Sequence, residues 1–298
     1  MFCKRLLVYH PLNMESKDEQ PLSADPGQQL LDFSPEPAKP RQAPIAPVWH
    51  TVLLMLAIIA VSALGFMRHT GPHGAVVVNR LHTYGTTAIL ELVLIGWVAL
   101  GVKLRGVRLR SLFGKVSINL KAILVDFGIA IVFWVLSMMA LATVAMMWIS
   151  VESWITHKPI PVQTDKNGKP TLSPKDDRAA KAVVQLAPTN GKEIAAWLGL
   201  CMLVGVAEEL VFRGYLQTQF TAWAKGAAVA GVVLSAMTFG AAHGYEGARA
   251  MFMLTVFGAF FSLLALFRRD LRAGIFAHSW HDAVAGLAVS LLHSRHVL

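Results

Sequence analysis

The chain has 298 residues, of which 55% are apolar and only 15% are charged, and its formal net charge is +9. So many apolar and so few charged residues exclude an ordinary soluble protein and predict a membrane protein. The positive charge does not indicate a nucleic-acid partner, because the basic residues cluster between apolar segments, where Lys and Arg contact lipid headgroups.

Residues 1–47 are predicted to form a Pro-rich, disordered tail. Eight of the 14 prolines lie before Trp49, and Pro-rich segments of this kind are extended linkers rather than packed domains. No charged-then-apolar signal sequence opens the chain, so we expect the first apolar segment to be kept as a membrane anchor.

Seven apolar segments come close to the roughly 20 residues that are needed to cross about 30 Å of hydrocarbon. They are predicted at 48–67, 86–102, 122–149, 194–212, 227–242, 250–267 and 273–292. The sequence therefore predicts an all-α fold, a polytopic membrane helix bundle with about seven transmembrane helices.

The domain boundaries follow from these segments. We expect transmembrane helices in 48–149, a long extramembrane loop in 150–193, four further helices in 194–292 and a short tail in 293–298. With the N-terminus in the cytoplasm, 16 Lys and Arg lie on the cytoplasmic side and 11 on the other, seven of them in the long loop. Long loops carry little topology signal, so this bias predicts a multi-pass protein of the cell membrane with a cytoplasmic N-terminus.

Few ionisable residues interrupt the apolar segments. A charged side chain at the bilayer centre costs roughly 2.5–3.5 kcal/mol, so such residues usually face the interior of a bundle and have a function. Those that we single out within the last four segments or at their ends are Glu208, Glu209, Arg213, His243, His278, His281 and Asp282. Glu91 and Asp126, in the second and third segments, are expected to make interhelical hydrogen bonds outside this group.

Helical spacing predicts two local pairs among these residues. Residues four apart share a helix face, so Glu209 can reach Arg213, and His278 can reach Asp282. Glu208 points about 100° away from Glu209 and has no local partner. A desolvated carboxylate without a partner is a candidate general base.

Each of these residues also has a purely structural explanation. An intrahelical ion pair or a helix-to-helix hydrogen bond accounts for the pairs, and packing at the membrane interface accounts for His243 and His281. Taken together, however, a carboxylate pair, an arginine and two histidines predict hydrolysis. A carboxylate and a histidine can deprotonate water, while a second histidine and a polar neighbour can hold the oxyanion formed on a carbonyl group.

The same residues form three short motifs in order along the chain, EExxxR, FxxxH and a histidine followed four residues later by a polar residue. The motifs are carried by Glu208, Glu209 and Arg213, by Phe239 and His243, and by His278 and Asp282. In order and spacing they resemble the CPBP family of intramembrane endopeptidases, which includes the type II CAAX prenyl proteases and the bacteriocin-processing or immunity (Abi) proteins.

The resemblance implies a glutamate-dependent protease without metal or cofactor, whose catalytic core is formed by the last four helices. Glu208 would activate water with help from His243. Glu209 and Arg213 would orient and support Glu208.

The third motif departs from the prenyl proteases, which have Asn in its last position. The resemblance implies that His278 and Asp282 line the oxyanion side, but an ionised aspartate repels an oxyanion. Asp282 must therefore be protonated or must orient His278 and keep it charged, and we expect the second role.

The depth of the residues in the membrane adds one prediction. At about 1.5 Å per residue, Glu208 and His278 both lie roughly 9 Å from the cytoplasmic edge, whereas His243 falls near the opposite edge. Because LQTQFTAWAK, at 216–225, contains no helix breaker, we predict that 214–225 continues the fourth helix and changes these depths.

The leading interpretation is an intramembrane endopeptidase that acts on a membrane-associated peptide or protein, with a CAAX-like, prenylated substrate as one option. A zinc hydrolase that uses Glu208, His243 and His278 is an alternative, although no HExxH is present and Arg213 would repel a cation. A non-catalytic scaffold or immunity-type protein in the lipid bilayer is another.

Overall fold

The structure of the protein is a computed structural model that describes residues 43–70, 79–114, 119–157 and 184–294. Most of the predicted Pro-rich tail, the centre of the predicted long loop and the end of the short C-terminal tail therefore lie outside the described residues.

Seven helices of 15 or more residues are found in the described residues. They are α1 (Val48–Thr70), α2 (Arg80–Lys103), α3 (Leu120–Thr156), α4 (Gly191–Trp223), α5 (Ala228–Ala242), α6 (Ala248–Arg268) and α7 (Arg272–Ser294). Five of them, all but α5 and α7, are long and apolar enough to cross a membrane, and large apolar side chains are exposed along α1, α2 and α3. The prediction of an all-α polytopic membrane bundle is confirmed.

Asparagine caps determine where three of these helices begin. The side chains of Asn79 and Asn119 accept backbone N–H groups at the starts of α2 and α3, and Asn190 accepts the N–H of Glu193 at 3.0 Å. The Glu193 carboxylate in turn accepts the N–H of Thr189 at 2.7 Å. Such reciprocal capping satisfies donors that have no partner inside the helix, and it starts α4 before the predicted position 194.

Helix α4 does not end at residue 212, where its apolar segment was predicted to end, but continues to Trp223. Glu209–Gln217 is π-helical, and Thr218–Trp223 is α-helical again. All nine residues of the π-helical segment are buried. The predicted continuation of the fourth helix is thus confirmed, and its π-helical form is of a kind often found at functional sites.

Two side chains of the π-helical segment bond to the backbone of α6. Arg213 donates to the carbonyl oxygen of Gly258 at 3.3 Å, and Gln217 donates to that of Ser262 at 3.1 Å. The donors are four residues apart on α4, and the acceptors are four residues apart on α6. The two helices are therefore held in a fixed register where the first motif lies.

The chain before α1 is bonded to the end of α4. The Gln219 side chain accepts the backbone N–H groups of Ile45 and Ala46 at 2.9 and 3.2 Å and donates to the carbonyl oxygen of Ala46 at 2.8 Å. Ala46 is fully buried. The packed part of the chain therefore begins before residue 47, which was the predicted boundary of the tail.

The loops that follow α2 and α6 meet on one side of the bundle. Gly114 pairs with Asp270, and the N–H of Leu271 donates to the carbonyl oxygen of Phe113 at 3.2 Å. This agrees with the prediction that the second and sixth loops lie on the same side of the membrane.

Asp126 of α3 connects three helices on that side. It is 1% exposed and forms ion pairs with Arg268 at 2.5 Å and with Arg272. The predicted interhelical hydrogen bond of Asp126 is therefore confirmed, and its donor is the guanidinium of Arg268.

Candidate active site

The imidazole of His278, on α7, lies among three carboxyl groups. Its Nδ1 lies 3.1 Å from Oε1 of Glu209, and its Nε2 lies 3.4 Å from Oε2 of Glu208 and 3.9 Å from Oδ2 of Asp282. Only the contact with Glu209 is a hydrogen bond. His278 and Asp282 share a helix face as predicted, but they are separated by an ion-pair distance.

Glu209 is fixed from the other side by Arg213. Nη1 of Arg213 lies 2.9 Å from Oε1 of Glu209, and both side chains are fully buried, which confirms the predicted pair. The guanidinium also lies 4.5 Å from the ring of Phe239 and 5.1 Å from that of Phe261. A buried ion pair is tolerated when its groups have further partners, and Arg213 finds them in the Gly258 carbonyl and the two rings.

The two adjacent glutamates differ in solvent exposure. The side chain of Glu208 is 15% exposed and that of Asp282 is 26% exposed, whereas the Glu209 side chain is 0% exposed. Water or a substrate can therefore reach Glu208 and Asp282 but not Glu209. Glu208 has no local partner on α4, as predicted, and its ion-pair partner is supplied by α7.

The ring of Phe239 contacts all three motifs. Its centroid lies 4.9 Å from the ring of His243 and 6.1 Å from the ring of His278, and the Arg213 guanidinium lies 4.5 Å from it. The structure thus brings residues of α4, α5 and α7 to one ring. Sequence reasoning singled out the charged residues and gave Phe239 no role of its own, although its place in the second motif was the available signal.

His243 lies at the end of α5 and is placed differently from His278. Its Nδ1 lies 2.9 Å from the carbonyl oxygen of Phe239, and a carbonyl oxygen can only accept, so Nδ1 carries the hydrogen. Nε2 is therefore the atom that can meet a water or a substrate. His243 interacts electrostatically with Asp282, whereas the histidine in ion-pair distance of Glu208 is His278.

His281 faces away from this group. The indole N–H of Trp134 donates to Nδ1 of His281 at 3.2 Å, and the His281 ring lies 5.0 Å from that of Phe257. These contacts join α3, α6 and α7, in agreement with the packing role predicted as one option for His281.

Glu91 was predicted to lie outside the group, and this prediction is wrong. Its side chain, on α2, is buried and interacts electrostatically with Glu208, His278 and Asp282. The expected interhelical hydrogen bond is also missing at Oε2, which has no hydrogen-bond partner among the described residues. Sequence spacing did not reveal this, because the second helix is far from the motifs in sequence.

Gly274 allows α7 to approach Glu209. A Cβ atom at residue 274 would lie 2.9 Å from Oε2 of Glu209, closer than carbon and oxygen can pack. The position was not singled out from the sequence, and a glycine one turn before His278 was the only signal.

The zinc alternative required Glu208, His243 and His278 as ligands. Within the described ranges, no three His, Cys, Asp or Glu side chains are grouped so that they could hold a metal ion. The ligand set of that alternative is thus not assembled in the structure.

Comparison with known proteins gives a match to a family model. The family model described as type II CAAX prenyl endopeptidase, Rce1-like, matches residues 190–284, which is less than half of the chain but includes all three motifs. No curated protein and no solved structure matches the chain. The resemblance stated from the motifs is confirmed. Residues 190–284 of this multi-pass membrane protein carry an Rce1-like domain of the CAAX-type intramembrane protease family.

Proposed function

We propose that the protein is an intramembrane endopeptidase in which Glu208 is the general base that activates water. The observation that carries the proposal is the difference between the adjacent glutamates. Glu209 is fully buried and bound by Arg213 and His278, whereas Glu208 is partly exposed and is held only at ion-pair distance. A base must reach the proton it removes, and Glu208 is the glutamate that can.

The proposed reaction begins with a water molecule between Glu208 and Nε2 of His243. Glu208 removes one proton while the water oxygen bonds to the carbonyl carbon of the substrate. When the carbon–nitrogen bond breaks, the proton passes from Glu208 to the departing nitrogen. The products are a carboxylic acid and an amine, and Glu208 is again a carboxylate.

Nε2 of His278 is the group we assign to the oxyanion. It lies between Glu208 and Asp282 without a hydrogen bond to either, so in the imidazolium form, in which both ring nitrogens carry hydrogen, its N–H is available to a substrate oxygen. Nδ1 of the same ring is held by Glu209. A donor that is already oriented stabilises the oxyanion without reorganisation, which is the main source of such catalysis.

An apolar groove beside the site favours a substrate with an apolar group such as a prenyl chain. The groove has a volume of about 430 Å³, opens between α3 and α6, and its lining includes Phe133, Leu136, Ala140 and Phe260. The ring of Phe261 lies 5.0 Å from that of Phe133 and 5.4 Å from that of His278. One aromatic ring therefore separates the groove from the proposed catalytic histidine.

The test is cleavage of peptides by the purified full-length protein in detergent, with CAAX-type peptides in farnesylated and unmodified form. Glu208→Gln should lower kcat by about 100- to 10,000-fold, the usual contribution of a general base. Glu152→Gln, at an exposed glutamate of α3, is the control and should retain full activity.

Two outcomes would contradict the proposal. Full activity of a folded Glu208→Gln variant would favour the non-catalytic scaffold, in which the helices only bind a partner. Loss of wild-type cleavage on adding a chelator, with recovery on adding zinc, would favour the zinc hydrolase.

A further inference from the structure

The first turn of α1 holds a tyrosine of the π-helical segment by its hydroxyl group. The Tyr215 hydroxyl lies 2.8 Å from Nδ1 of His50 and 2.9 Å from Oγ1 of Thr51. All three residues are 0% exposed. Tyr215 follows Arg213 by two positions, so the start of α1 is hydrogen-bonded to the part of α4 that carries the first motif.

The ring of His50 is itself held in place by α2. It stacks on the ring of Trp97 at 4.5 Å, with 20° between the two planes, and the indole N–H of Trp97 donates to the carbonyl oxygen of His50 at 3.3 Å. A Cβ atom at residue 101, about one turn after Trp97, would lie 2.4 Å from Cε1 of His50. The His50 ring is thus fixed in the orientation in which Nδ1 meets the Tyr215 hydroxyl.

The π-helical form depends on contacts at both ends of the segment. A π-helix bonds each residue to the fifth along the chain and an α-helix to the fourth, so a return to α-helix would turn one end against the other by about 100°, the rotation of one residue. At the first end Glu209 is bound to His278, and at the last end Tyr215 and Gln219 are bound to α1 and to the chain before it. Release of the last end would therefore turn the glutamates relative to α7.

We propose that His50 is a positioning residue of the candidate active site, which it affects through Tyr215. By holding the Tyr215 hydroxyl, His50 keeps the segment π-helical and keeps Glu208 and Glu209 turned towards His278. It does not touch the substrate or the reacting atoms. The catalytic part of this role rests on the function proposed above, whereas the effect on His278 is a property of the fold alone.

Tyr215→Phe tests the role, because it removes the hydroxyl and keeps the ring. It should lower kcat for peptide cleavage by about 10- to 100-fold, since a small misplacement of catalytic groups costs up to that much. KM should stay within about twofold, the pattern of a change felt in the transition state. Tyr84→Phe is the matched control and should retain the wild-type kcat, because the buried Tyr84 donates its hydroxyl hydrogen to the carbonyl oxygen of Leu186, outside the π-helical segment.

Substitutions of His50 test the same bond from the other side. His50→Leu should lower kcat as Tyr215→Phe does, whereas His50→Gln, whose amide can bond to the hydroxyl, should retain more activity. Because both changes break one bond, the double variant should be no slower than either single variant. The proposal is overturned if Tyr215→Phe retains the wild-type kcat, if Tyr84→Phe loses as much, or if the two effects on kcat add. If His50→Leu fails to fold, the comparison of the two tyrosine variants decides.

A measurement without cleavage distinguishes this proposal from the protease function. NMR of the ring nitrogens in the full-length protein, labelled in its histidines, reports the contact between His278 and Glu209, and the His278 signal is the one missing from the His278→Asn spectrum. Tyr215→Phe should shift this signal, and Tyr84→Phe should leave it in place. If the wild type cleaves no peptide while Tyr215→Phe shifts the signal, the protease function fails and the positioning role stands. A signal that Tyr215→Phe leaves unshifted overturns the role.

Discussion

Nδ1 of His278 lies 3.1 Å from Oε1 of Glu209, although 69 positions separate the two residues in the chain. The same oxygen lies 2.9 Å from Nη1 of Arg213. Glu209 therefore joins α4 to α7, and it fixes both the arginine behind the site and the histidine within it.

We expect Glu209→Gln to destabilise the protein and to abolish activity. The substitution leaves Arg213 as a buried charge without its counterion, and breaking a buried pair in this way costs about 3–5 kcal/mol. Thermal or denaturant unfolding in detergent measures the loss. Glu152→Gln, on the surface, should unfold like the wild type. A Glu209→Gln variant of unchanged stability would show that the pair contributes nothing.

Asp282→Asn is expected to retain activity or to raise kcat/KM. The sequence favoured a role for Asp282 in orienting His278, but in the structure Glu209 holds Nδ1 of that ring, and Asp282 makes no hydrogen bond to Nε2. Removing a negative charge beside the developing oxyanion should help the reaction. Asp282→Ala removes the polar group together with the charge, so comparing its kcat/KM with that of Asp282→Asn separates the two effects. A large fall in kcat for Asp282→Asn would restore the orienting role.

Gly274→Ala should disturb Glu209. The added methyl group would lie 2.9 Å from Oε2 of Glu209, and that side chain cannot turn away while Arg213 and His278 hold it. We expect a loss of about 1–3 kcal/mol, the usual cost of overpacking, together with reduced cleavage. Gly128→Ala is the matched control, because nothing lies within 4 Å of the methyl group it would add. Equal stability and equal cleavage activity of the two variants would contradict the close packing of α7 against Glu209.

Filling the apolar groove should affect prenylated substrates selectively. Ala140→Trp places a large ring among the groove residues, so KM for a farnesylated peptide should rise while KM for the unmodified peptide stays the same. Val132→Trp, at a position on α3 that is 60% exposed and outside the groove lining, is the control. If neither variant changes KM for the farnesylated peptide relative to KM for the unmodified peptide, the groove does not bind the prenyl group.

The helical architecture could be predicted from the sequence because its signals are local. Apolar runs of membrane-spanning length placed all seven helices, and spacing by four placed Glu209 beside Arg213. The start of α4 was missed because its signal is the cap formed by Asn190 and Glu193 rather than hydropathy. The end of α3 was also missed, since that helix continues to Thr156.

The parts of the site that depend on packing between helices could not be predicted. Nothing in the local pattern shows that Glu91 interacts electrostatically with motif residues, because this depends on how α2 packs against α4. The role of Phe239 could not be predicted either, because its ring is important only through the side chains that it contacts. The order of the motifs identified the family, but only the three-dimensional arrangement shows which partner each side chain contacts.

The position of Phe239 has an evolutionary consequence. One ring supports an arginine, a histidine of its own helix and a histidine of a third helix, so any change in its size is transmitted to all of them together. Relatives that replace this phenylalanine should therefore show compensating changes in the other motifs, and lineages in which the site has decayed should lose the motifs as a set rather than singly.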